Sequence, residues 1–188
     1  ASTASRARRS VFLAVASSRS SAPWAFRAGE DDLSTTRYDI ISDTHGFLSP
    51  ELIEQLRGAD VIVHAGDICS PSDFQHLEMI APVQACLGNN DWSNDYGPTV
   101  KARKIFFGSG LRWQIVHFRE RLNLLKCDIA ICGHTHTPFV MRDEWTGTLV
   151  MNPGSPTYPR RSKPSMGRII CDEDAGKIIS AEIITLGE

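Results

Sequence analysis

The chain has 188 residues, of which 41% are hydrophobic and 22% charged, and its formal net charge is -2. Such a length and composition are typical of one globular domain with a substantial core. The charge excludes a bulk basic field that would hold nucleic acid or an anionic membrane. No apolar run approaches the ~20 residues of a membrane helix, so we predict no membrane partner. The sequence also gives no strong signal for a nucleic-acid partner.

Residues 1–28 differ in composition from the rest of the chain. They are rich in Ser, Ala and Arg and contain no acidic residue, which is the composition of an organellar transit peptide. A disordered or wrongly included upstream extension is an equal alternative. We therefore predict a disordered or targeting extension over residues 1–36 and a single folded domain over residues 37–188.

The five cysteines show no CxxC spacing, and several lie in apolar runs. This pattern favours buried free thiols over disulfides or a zinc-thiolate site. Free thiols indicate a reducing compartment, so we predict a cytoplasmic protein. An organellar location is the alternative if residues 1–28 are a transit peptide.

The first half of the folded part alternates strands and helices. Ser49 and Ser70 are suited to cap helices that begin at or just after the following prolines, Pro50 and Pro71. Strand, polar turn and helix recur three times, which predicts parallel strands with helices packed outside. The predicted strands are 38–41, 61–64 and 83–87, and the predicted helices run from 50 to Gly58 and from about 71 to 80.

The second half is richer in strands. A hairpin is predicted over 104–107 and 112–116, a helix-like stretch over 119–126, and strands over 128–132, 139–142, 149–151, 167–171 and 177–184. We assign these strands to a second, mixed sheet. The predicted fold is of the α/β class, a four-layer α/β/β/α sandwich of two mixed sheets flanked by helices.

Potential metal ligands follow several of the predicted strands. Oxygen and imidazole donors suit Mn, Fe, Zn, Co or Ni better than Ca. Seven donors exceed the needs of one ion, whereas two ions sharing Asp67 would each take about four protein ligands. In the Asp-x-His and His-x-His pairs, residues two apart project to the same side of an extended segment. The candidate donors are Asp43, His45, Asp67, Asn89, His117, His134 and His136.

The set of motifs resembles the calcineurin-like metallophosphoesterase superfamily. The ordered motifs are Asp43-x-His45, Gly66-Asp67, Gly88-Asn89-x-Asp91, the isolated His117, and Gly133-His134-x-His136. The short chain, with residues 152–155 (Asn-Pro-Gly-Ser) after the histidine pair, resembles the short, YfcE-like phosphodiesterase branch of that superfamily.

The resemblance implies a function and a site. It implies hydrolysis of a small phosphate-ester substrate, with two divalent transition ions as cofactors, Mn favoured, and a metal-bridging hydroxide as nucleophile. Asp91 would accept a hydrogen bond that orients a ligand or water. The implied catalytic residues are Asp67, Asn89, Asp91 and His134. The implied ligands are Asp43, His45, Asp67 and His136 for the first ion, and Asp67, Asn89, His117 and His134 for the second.

Two positions depart from the family pattern. Asn90 stands where larger members carry a histidine that can protonate the leaving group, and an amide cannot donate that proton. The short branch commonly lacks this histidine too. Phe118 follows His117 where the family has glycine, and the stretch before Gly133 is shorter, so His117 is the least firmly assigned ligand.

Other polar residues have ordinary interpretations. We predict that His64 is a hydrogen-bonded core histidine and that His76 is a surface histidine. Ser155 and Arg160 could contact a substrate phosphate, but a solvated loop is favoured for both.

The functional alternatives are three. A phosphodiesterase is favoured, because a site without a histidine acid suits diesters. The first alternative is a phosphomonoesterase, including a protein or nucleotide phosphatase. The second is a non-catalytic scaffold of the same fold, resembling the retromer subunit. Retention of both the Asp-x-His and His-x-His pairs favours an enzyme, and a homodimer is left open by the sequence.

Overall fold

The computed structural model describes residues 34–187. Most of the predicted extension therefore lies outside the described residues. Within them the first strand begins at Thr35, two residues before the predicted start of the domain. The strands are β1 Thr35–Ile41, β2 Val61–His64, β3 Val83–Ala85, β4 Arg103–Gly108, β5 Leu111–Val116, β6 Ile129–Ile131, β7 Phe139–Arg142, β8 Leu149–Asn152, β9 Ser165–Asp172 and β10 Lys177–Thr185; the α-helices are α1 Pro50–Leu56 and α2 Pro71–Ile80.

The strands form two mixed sheets of five strands each, in the orders β10-β9-β1-β2-β3 and β4-β5-β6-β8-β7. In the first sheet β1, β2 and β3 are parallel, and α1 and α2 are the crossovers between them. Each helix begins as predicted, because the Ser49 hydroxyl accepts from the Leu52 N–H and the Ser70 hydroxyl from the Asp73 N–H. The predicted α/β class and the two mixed sheets are confirmed.

We predicted that the last two strands belong to the second sheet, and this prediction is wrong. Both strands belong to the first sheet. β9 runs antiparallel to β1, and β10 pairs with β9 at the sheet edge. Two contacts explain this placement. Ile169 and Cys171 complete the core between the sheets, and Arg168 lies opposite Asp39 of β1 in the strand register.

The main core lies between the two sheets. It contains Ile40 and Val63 from the first sheet, which face Trp113, Ile129 and Met151 from the second. A second cluster packs α1 and α2 against the outer face of the first sheet, through residues such as Leu52, Leu56 and Leu77. Burial of these apolar side chains is the main stabilising contribution to the fold.

The helix predicted over residues 119–126 is instead two 3₁₀ turns, Arg119–Arg121 and Leu124–Lys126. Asn123 lies between them with a non-helical backbone. Its N–H donates to the Gln114 side chain at 2.7 Å, and so it cannot continue a helical hydrogen-bond ladder. Gln114 alternates with the core residues Trp113 and Ile115, so this segment covers the outer face of the second sheet.

All five cysteines are free thiols, as predicted. Cys86, Cys132 and Cys171 are buried, Cys127 is half-buried and Cys69 is exposed. Of the helices within residues 34–187, none has the length and hydrophobicity that crossing a bilayer requires.

Candidate metal centre

All seven predicted donors lie in loops that follow strands. Asp43 and His45 come after β1, and Asp67 after β2. Asn89, His117 and the His134–His136 pair follow β3, β5 and β6. The strands β1 to β3 are parallel, as are β5 and β6, so their carboxyl ends meet at the same edge of each sheet. The structure brings the donors of both sheets together at that edge.

One group of donors consists of Asp43, His45 and His136, whose ligand atoms lie within 4.8 Å of one another. His136 Nε2 is 3.3 Å from Asp43 Oδ1 and 3.3 Å from His45 Nε2. His136 Nδ1 donates to the Tyr158 carbonyl at 2.6 Å. Because that bond fixes the proton on Nδ1, a neutral His136 presents its Nε2 lone pair to the cluster.

A second group consists of Asp43, Asp67 and His117, again with ligand atoms within 4.8 Å. His117 Nδ1 donates to the Ala65 carbonyl at 2.8 Å, so Nε2 points into the site, 3.5 Å from Asp67 Oδ2. Burial by itself would lower the pKa of His117, but the contacts with Asp67 and Asp43 outweigh it and raise that pKa. His117 therefore lies in the cluster, even though the stretch between His117 and Gly133 is shorter than in the family pattern.

Asn89 and His134 are the two remaining donors, and Asn89 lies between His117 and His134. Its side-chain oxygen lies 3.1 Å from His117 Nε2 and 3.0 Å from His134 Nδ1. Asn89 and His134 are exposed, whereas His117 is buried. This corner of the cluster therefore opens to solvent.

The carboxylate of Asp43 is fully buried and only half satisfied. Its Oδ2 accepts from the Ser42 hydroxyl at 2.7 Å and from the His134 N–H at 3.0 Å. Its Oδ1 has no hydrogen-bond donor among residues 34–187, and burial is the main cause that raises the pKa of this carboxyl group. A buried carboxylate oxygen that faces imidazole lone pairs fits a bound cation, since a lone buried charge is otherwise costly.

Asp67 is held in a different way. The Asn90 N–H donates to Oδ1 at 2.9 Å, and the Asn90 side-chain amide donates to Oδ2 at 2.7 Å. Burial alone would raise the pKa of Asp67, but hydrogen bonds from His117 and Asn90 outweigh it and hold this pKa below its usual range. Asp67 therefore favours its anionic form.

Residues 37–174 match the model of the calcineurin-like phosphoesterase superfamily domain. The chain belongs to this superfamily. The resemblance inferred from the motifs is therefore confirmed. A probable metallophosphoesterase of Methanothermobacter thermautotrophicus is 33% identical over 164 residues, which cover 79% of this chain and 91% of the relative.

Several solved structures have the same fold. A novel archaeal phosphodiesterase superposes with a TM-score of 0.62 at 22% identity, covering 79% of this chain and 100% of that one. The phosphoesterase YfcE of Escherichia coli gives 0.59 at 21%, covering 78% and 98%. Vacuolar protein sorting 29 of Cryptosporidium parvum gives 0.64 at 18%, covering 80% and 98%. At these identities the likeness establishes the fold.

The chain holds its donor loops in strained backbone conformations. Five of the seven donors have positive φ angles between 50° and 67°: Asp43, His45, Asp67, His134 and His136. Such conformations cost on the order of 1 kcal/mol or more per non-glycine residue and cluster at functional sites. Backbone hydrogen bonds tie the first two loops together, from Asp43 to Gly66 and from His45 to Asp67.

Two glycines leave room for the carboxylates. A Cβ atom on Gly88 would lie 2.0 Å from Asp67 Oδ1, and one on Gly133 would lie 2.0 Å from the Ser42 hydroxyl oxygen. Both distances are far below van der Waals contact. The glycines in these two motifs are therefore needed for close approach between loops.

Asp91 contacts the backbone of the donor loops and not the candidate donors themselves. Its Oδ1 accepts from the backbone N–H groups of Ile68 and Cys69, both at 2.9 Å, and from the Tyr96 hydroxyl at 3.0 Å. Its Oδ2 accepts from the Gly88 N–H at 2.8 Å. Asp91 therefore fixes the backbone after Asp67 and is a positioning residue, whereas the sequence grouped it with the catalytic residues.

The structure also places the secondary candidates. His64 is fully buried, with Nε2 3.0 Å from the Thr44 hydroxyl and Nδ1 3.2 Å from the Gly66 nitrogen. Burial lowers its pKa to about 4, so it is the predicted core histidine. His76 is exposed on α2, as predicted.

Ser155 is neither a phosphate contact nor a solvated loop residue. It is buried, and its hydroxyl donates to the Asp43 carbonyl at 2.7 Å. The polar Asn-Pro-Gly-Ser loop thus supports the backbone of a candidate ligand. Arg160 is exposed, as a loop residue should be, and borders the cleft beside His45 and His136.

Sequence reasoning missed three neighbours of the cluster. Phe118, the departure from the family pattern, packs its ring 4.5 Å from that of His134. Tyr158 provides the carbonyl that orients His136. Cys69 Sγ lies 3.7 Å from His45 Nδ1. Only Phe118 gave a signal in the sequence, as the residue that replaces the expected glycine.

Proposed function

We propose that this phosphoesterase is a dinuclear, metal-dependent phosphodiesterase. The observation that carries the proposal is the unsatisfied Oδ1 of buried Asp43, which lies among imidazole nitrogens and beside the anionic Asp67. Two ions account for this arrangement better than one, because the two donor groups adjoin at Asp43 and Asp67 Oδ2 lies 3.9 Å from His45 Nε2 and 3.5 Å from His117 Nε2, between the two groups. The proposed ligands are Asp43, His45, Asp67 and His136 for one ion, and Asp67, Asn89, His117 and His134 for the other.

When bound, divalent transition ions lower the pKa of a coordinated water and neutralise phosphoryl oxygens. Manganese is the favoured ion, with Ni, Co, Fe or Zn as alternatives, because the donor set combines carboxylate, amide and imidazole groups. The protein contributes ligands that are oriented in advance. The carbonyls of Ala65 and Tyr158 fix the ring orientations of His117 and His136, as outer hydrogen bonds do in other metal sites.

The preference for diesters follows from Asn90. Its side-chain amide donates to Asp67 Oδ2, and an amide cannot transfer a proton to a departing alkoxide. General-acid help contributes about 10²–10⁴-fold in rate where it is present. We therefore expect the enzyme to favour diesters with acidic leaving groups, such as aryl esters, over alkyl esters.

The test combines metal analysis with a substrate series. Purified protein should bind two divalent ions per chain, and aryl diesters should be hydrolysed faster than aryl monoesters when Mn²⁺, Ni²⁺, Co²⁺ and Mg²⁺ are compared. Diesters of graded leaving-group pKa should show a steep dependence in wild type that flattens in Asn90→His. Full binding of two ions by Asp67→Ala would contradict the shared ligand, and a faster monoester reaction would favour the phosphomonoesterase.

A scaffold is the second candidate, because the fold superposes on vacuolar protein sorting 29 with a TM-score of 0.64. A scaffold does not need a complete set of ligands, whereas this chain keeps every predicted donor at the cluster. Metal binding without turnover of any phosphate ester would favour the scaffold. We also propose that the protein is located in the cytoplasm, because its free cysteines are typical of a reducing compartment.

A further inference from the structure

The cleft beside His45 and His136 extends beyond the candidate metal centre. It has a volume of about 720 Å³, and its far wall is formed by Thr157, Tyr158, Pro159 and Arg160. Pockets that bind small molecules usually have volumes of about 300–1,000 Å³. The phosphoryl group of a diester would occupy only the part next to the metal centre, so the remaining space is available to one of the esterified groups.

This wall is held in place by hydrogen bonds to the candidate metal centre. The Ser155 hydroxyl accepts from the Tyr158 N–H at 2.9 Å and donates to the Asp43 carbonyl at 2.7 Å. The Tyr158 carbonyl accepts from His136 Nδ1. A surface that is already ordered loses little conformational entropy when a ligand binds.

Tyr158 supplies an aromatic surface. Its side chain is largely exposed, at 59%, and its hydroxyl has no hydrogen-bond partner within residues 34–187. The ring stands edge-on to His45, with centroids 5.5 Å apart and an angle of 73° between the planes. An exposed ring beside the reacting centre suits a planar aromatic group of the substrate, since bases stack on aromatic side chains.

Arg160 supplies a positive charge that the protein does not neutralise. In the described part of the chain its guanidinium makes neither an ion pair nor a hydrogen bond, while its backbone N–H donates to the His136 carbonyl at 3.4 Å. Arg161 and Lys163 follow, and residues 145–171 contain no Asp or Glu. A free guanidinium fork binds phosphate or carboxylate groups.

We infer that residues 157–160 form a specificity subsite for nucleotide diesters, with the base against Tyr158 and a second phosphate at Arg160. This inference rests on the proposed phosphodiesterase function. It adds that the group retained beside the metal centre is a nucleoside, and that a further phosphate strengthens binding.

Three substrates with one leaving group test the subsite: methyl 4-nitrophenyl phosphate, thymidine 5′-(4-nitrophenyl) phosphate, and the same thymidine ester carrying a 3′-phosphate. We expect kcat/KM to rise along this series, with each step about tenfold. Equal kcat/KM values for the methyl and thymidine esters would overturn the inference, while leaving the phosphodiesterase proposal intact.

Variants test which residue causes each of the two increases in kcat/KM, the one from the thymidine group and the one from the 3′-phosphate. Tyr158→Ala should lower the thymidine-to-methyl ratio about tenfold, and Tyr158→Phe should keep it, since the ring is retained. Arg160→Ala should remove the gain from the 3′-phosphate. Trp145→Ala, at an aromatic residue that is 95% exposed outside the cleft, and Lys163→Ala are the matched controls. Equal losses in the controls would contradict the assignment.

Product binding tests the subsite without turnover. Calorimetry should show that thymidine 5′-phosphate binds about tenfold more tightly than inorganic phosphate and that Tyr158→Ala removes this difference. This result would support the subsite even if none of the three esters were hydrolysed. Such a lack of hydrolysis would count against the proposed phosphodiesterase activity. Equal binding of the two ligands would overturn the subsite.

Discussion

Two buried aspartates lie four residues apart around the end of β1, and their surroundings are opposite. Asp39 is fully buried, and both its oxygens contact guanidinium groups: Arg37 donates from Nε at 3.1 Å and Nη2 at 2.6 Å, and Arg168 from Nε at 2.7 Å and Nη2 at 3.3 Å. Asp43 is equally buried, yet its Oδ1 has no donor in the described part of the chain.

The difference separates a group that holds the fold together from one that is arranged for a ligand. Around Asp39 the two arginines also donate to the Gln55 carbonyl at the end of α1, so the carboxylate joins β1, β9 and the helix. Around Asp43 the neighbours are imidazoles, which are ligands when neutral. A buried carboxylate oxygen that accepts no hydrogen bond is costly, so the surroundings of Asp43 fit a bound cation.

The largest expected effect is that of Asp43→Asn on metal binding. Loss of a carboxylate ligand should weaken metal binding more than 100-fold, beyond the range typical of outer hydrogen-bond partners. In the metal-free protein the same change should leave the free energy of unfolding equal or higher by about 1 kcal/mol, because it removes a poorly solvated charge. Isothermal titration with Mn²⁺ and urea unfolding in a chelator measure the two quantities.

Asp39→Asn should give the opposite result. It leaves two arginines without their carboxylate, and breaking a buried ion pair costs about 3–5 kcal/mol; since both arginine side chains are about one-fifth exposed, we expect about 3 kcal/mol. Metal affinity should stay within about twofold of wild type. Urea unfolding and the same titration check both values, and similar stability losses in the two variants would remove the distinction between the aspartates.

The positions of the candidate donors at strand ends could be predicted from the sequence more readily than the pairing of the last two strands. The donors follow strands within short motifs, and parallel strands bring such positions to one edge regardless of the detailed packing. The pairing of β9 with β1 could not be read in the same way. It depends on long-range contacts, such as that between Arg168 and Asp39, which leave no local pattern.

The hydrogen-bond partners of Asp91 and Ser155 could not be read from the sequence either, for a related reason. A carboxylate or hydroxyl in a polar loop looks the same whether it faces the ligand or supports the backbone behind it. Asp91 receives four hydrogen bonds from groups up to 23 residues away along the chain. Only the three-dimensional arrangement shows that its lone pairs are already used.

His64 is buried and hydrogen-bonded like Asp39, and it makes the stability of the fold depend on pH. Burial lowers its pKa to about 4 from an ordinary 6.5, against weaker opposing effects of Asp91 and Asp67 and with small additional lowering by His117 and His45. The folded state therefore binds fewer protons than the unfolded state between these values. The contribution of His64 to the free energy of unfolding is fully present above about pH 6.5 and is lost as the pH falls towards 4.

For His64 this loss should be about 2 kcal/mol between pH 7 and pH 5. Metal-free protein unfolded in urea at the two pH values provides the measurement, and His64→Gln isolates the contribution of this residue. The variant should lose less stability on acidification than wild type, whatever its absolute stability. An identical pH dependence in both proteins would show that His64 is not the group responsible.

The smallest predicted effect concerns the one satisfied oxygen of Asp43. The Ser42 hydroxyl donates to Asp43 Oδ2 at 2.7 Å in a fully buried position, so Ser42→Ala leaves that oxygen with the His134 N–H alone. We expect metal affinity to fall about tenfold, the lower end for outer hydrogen-bond partners, and stability to fall by about 1 kcal/mol.

Thr148→Val is the matched control for Ser42→Ala. Thr148 is also buried, and its hydroxyl bonds the carbonyls of Leu124 and Cys127 at 2.8 Å, among residues that belong to neither donor group. It should cost a similar amount of stability without any change in Mn²⁺ affinity. Equal affinities in the two variants would mean that Asp43 does not need its serine for metal binding. The orientation of this carboxylate would then depend on the His134 backbone, and the buried hydroxyl would serve the fold, as the arginines around Asp39 do.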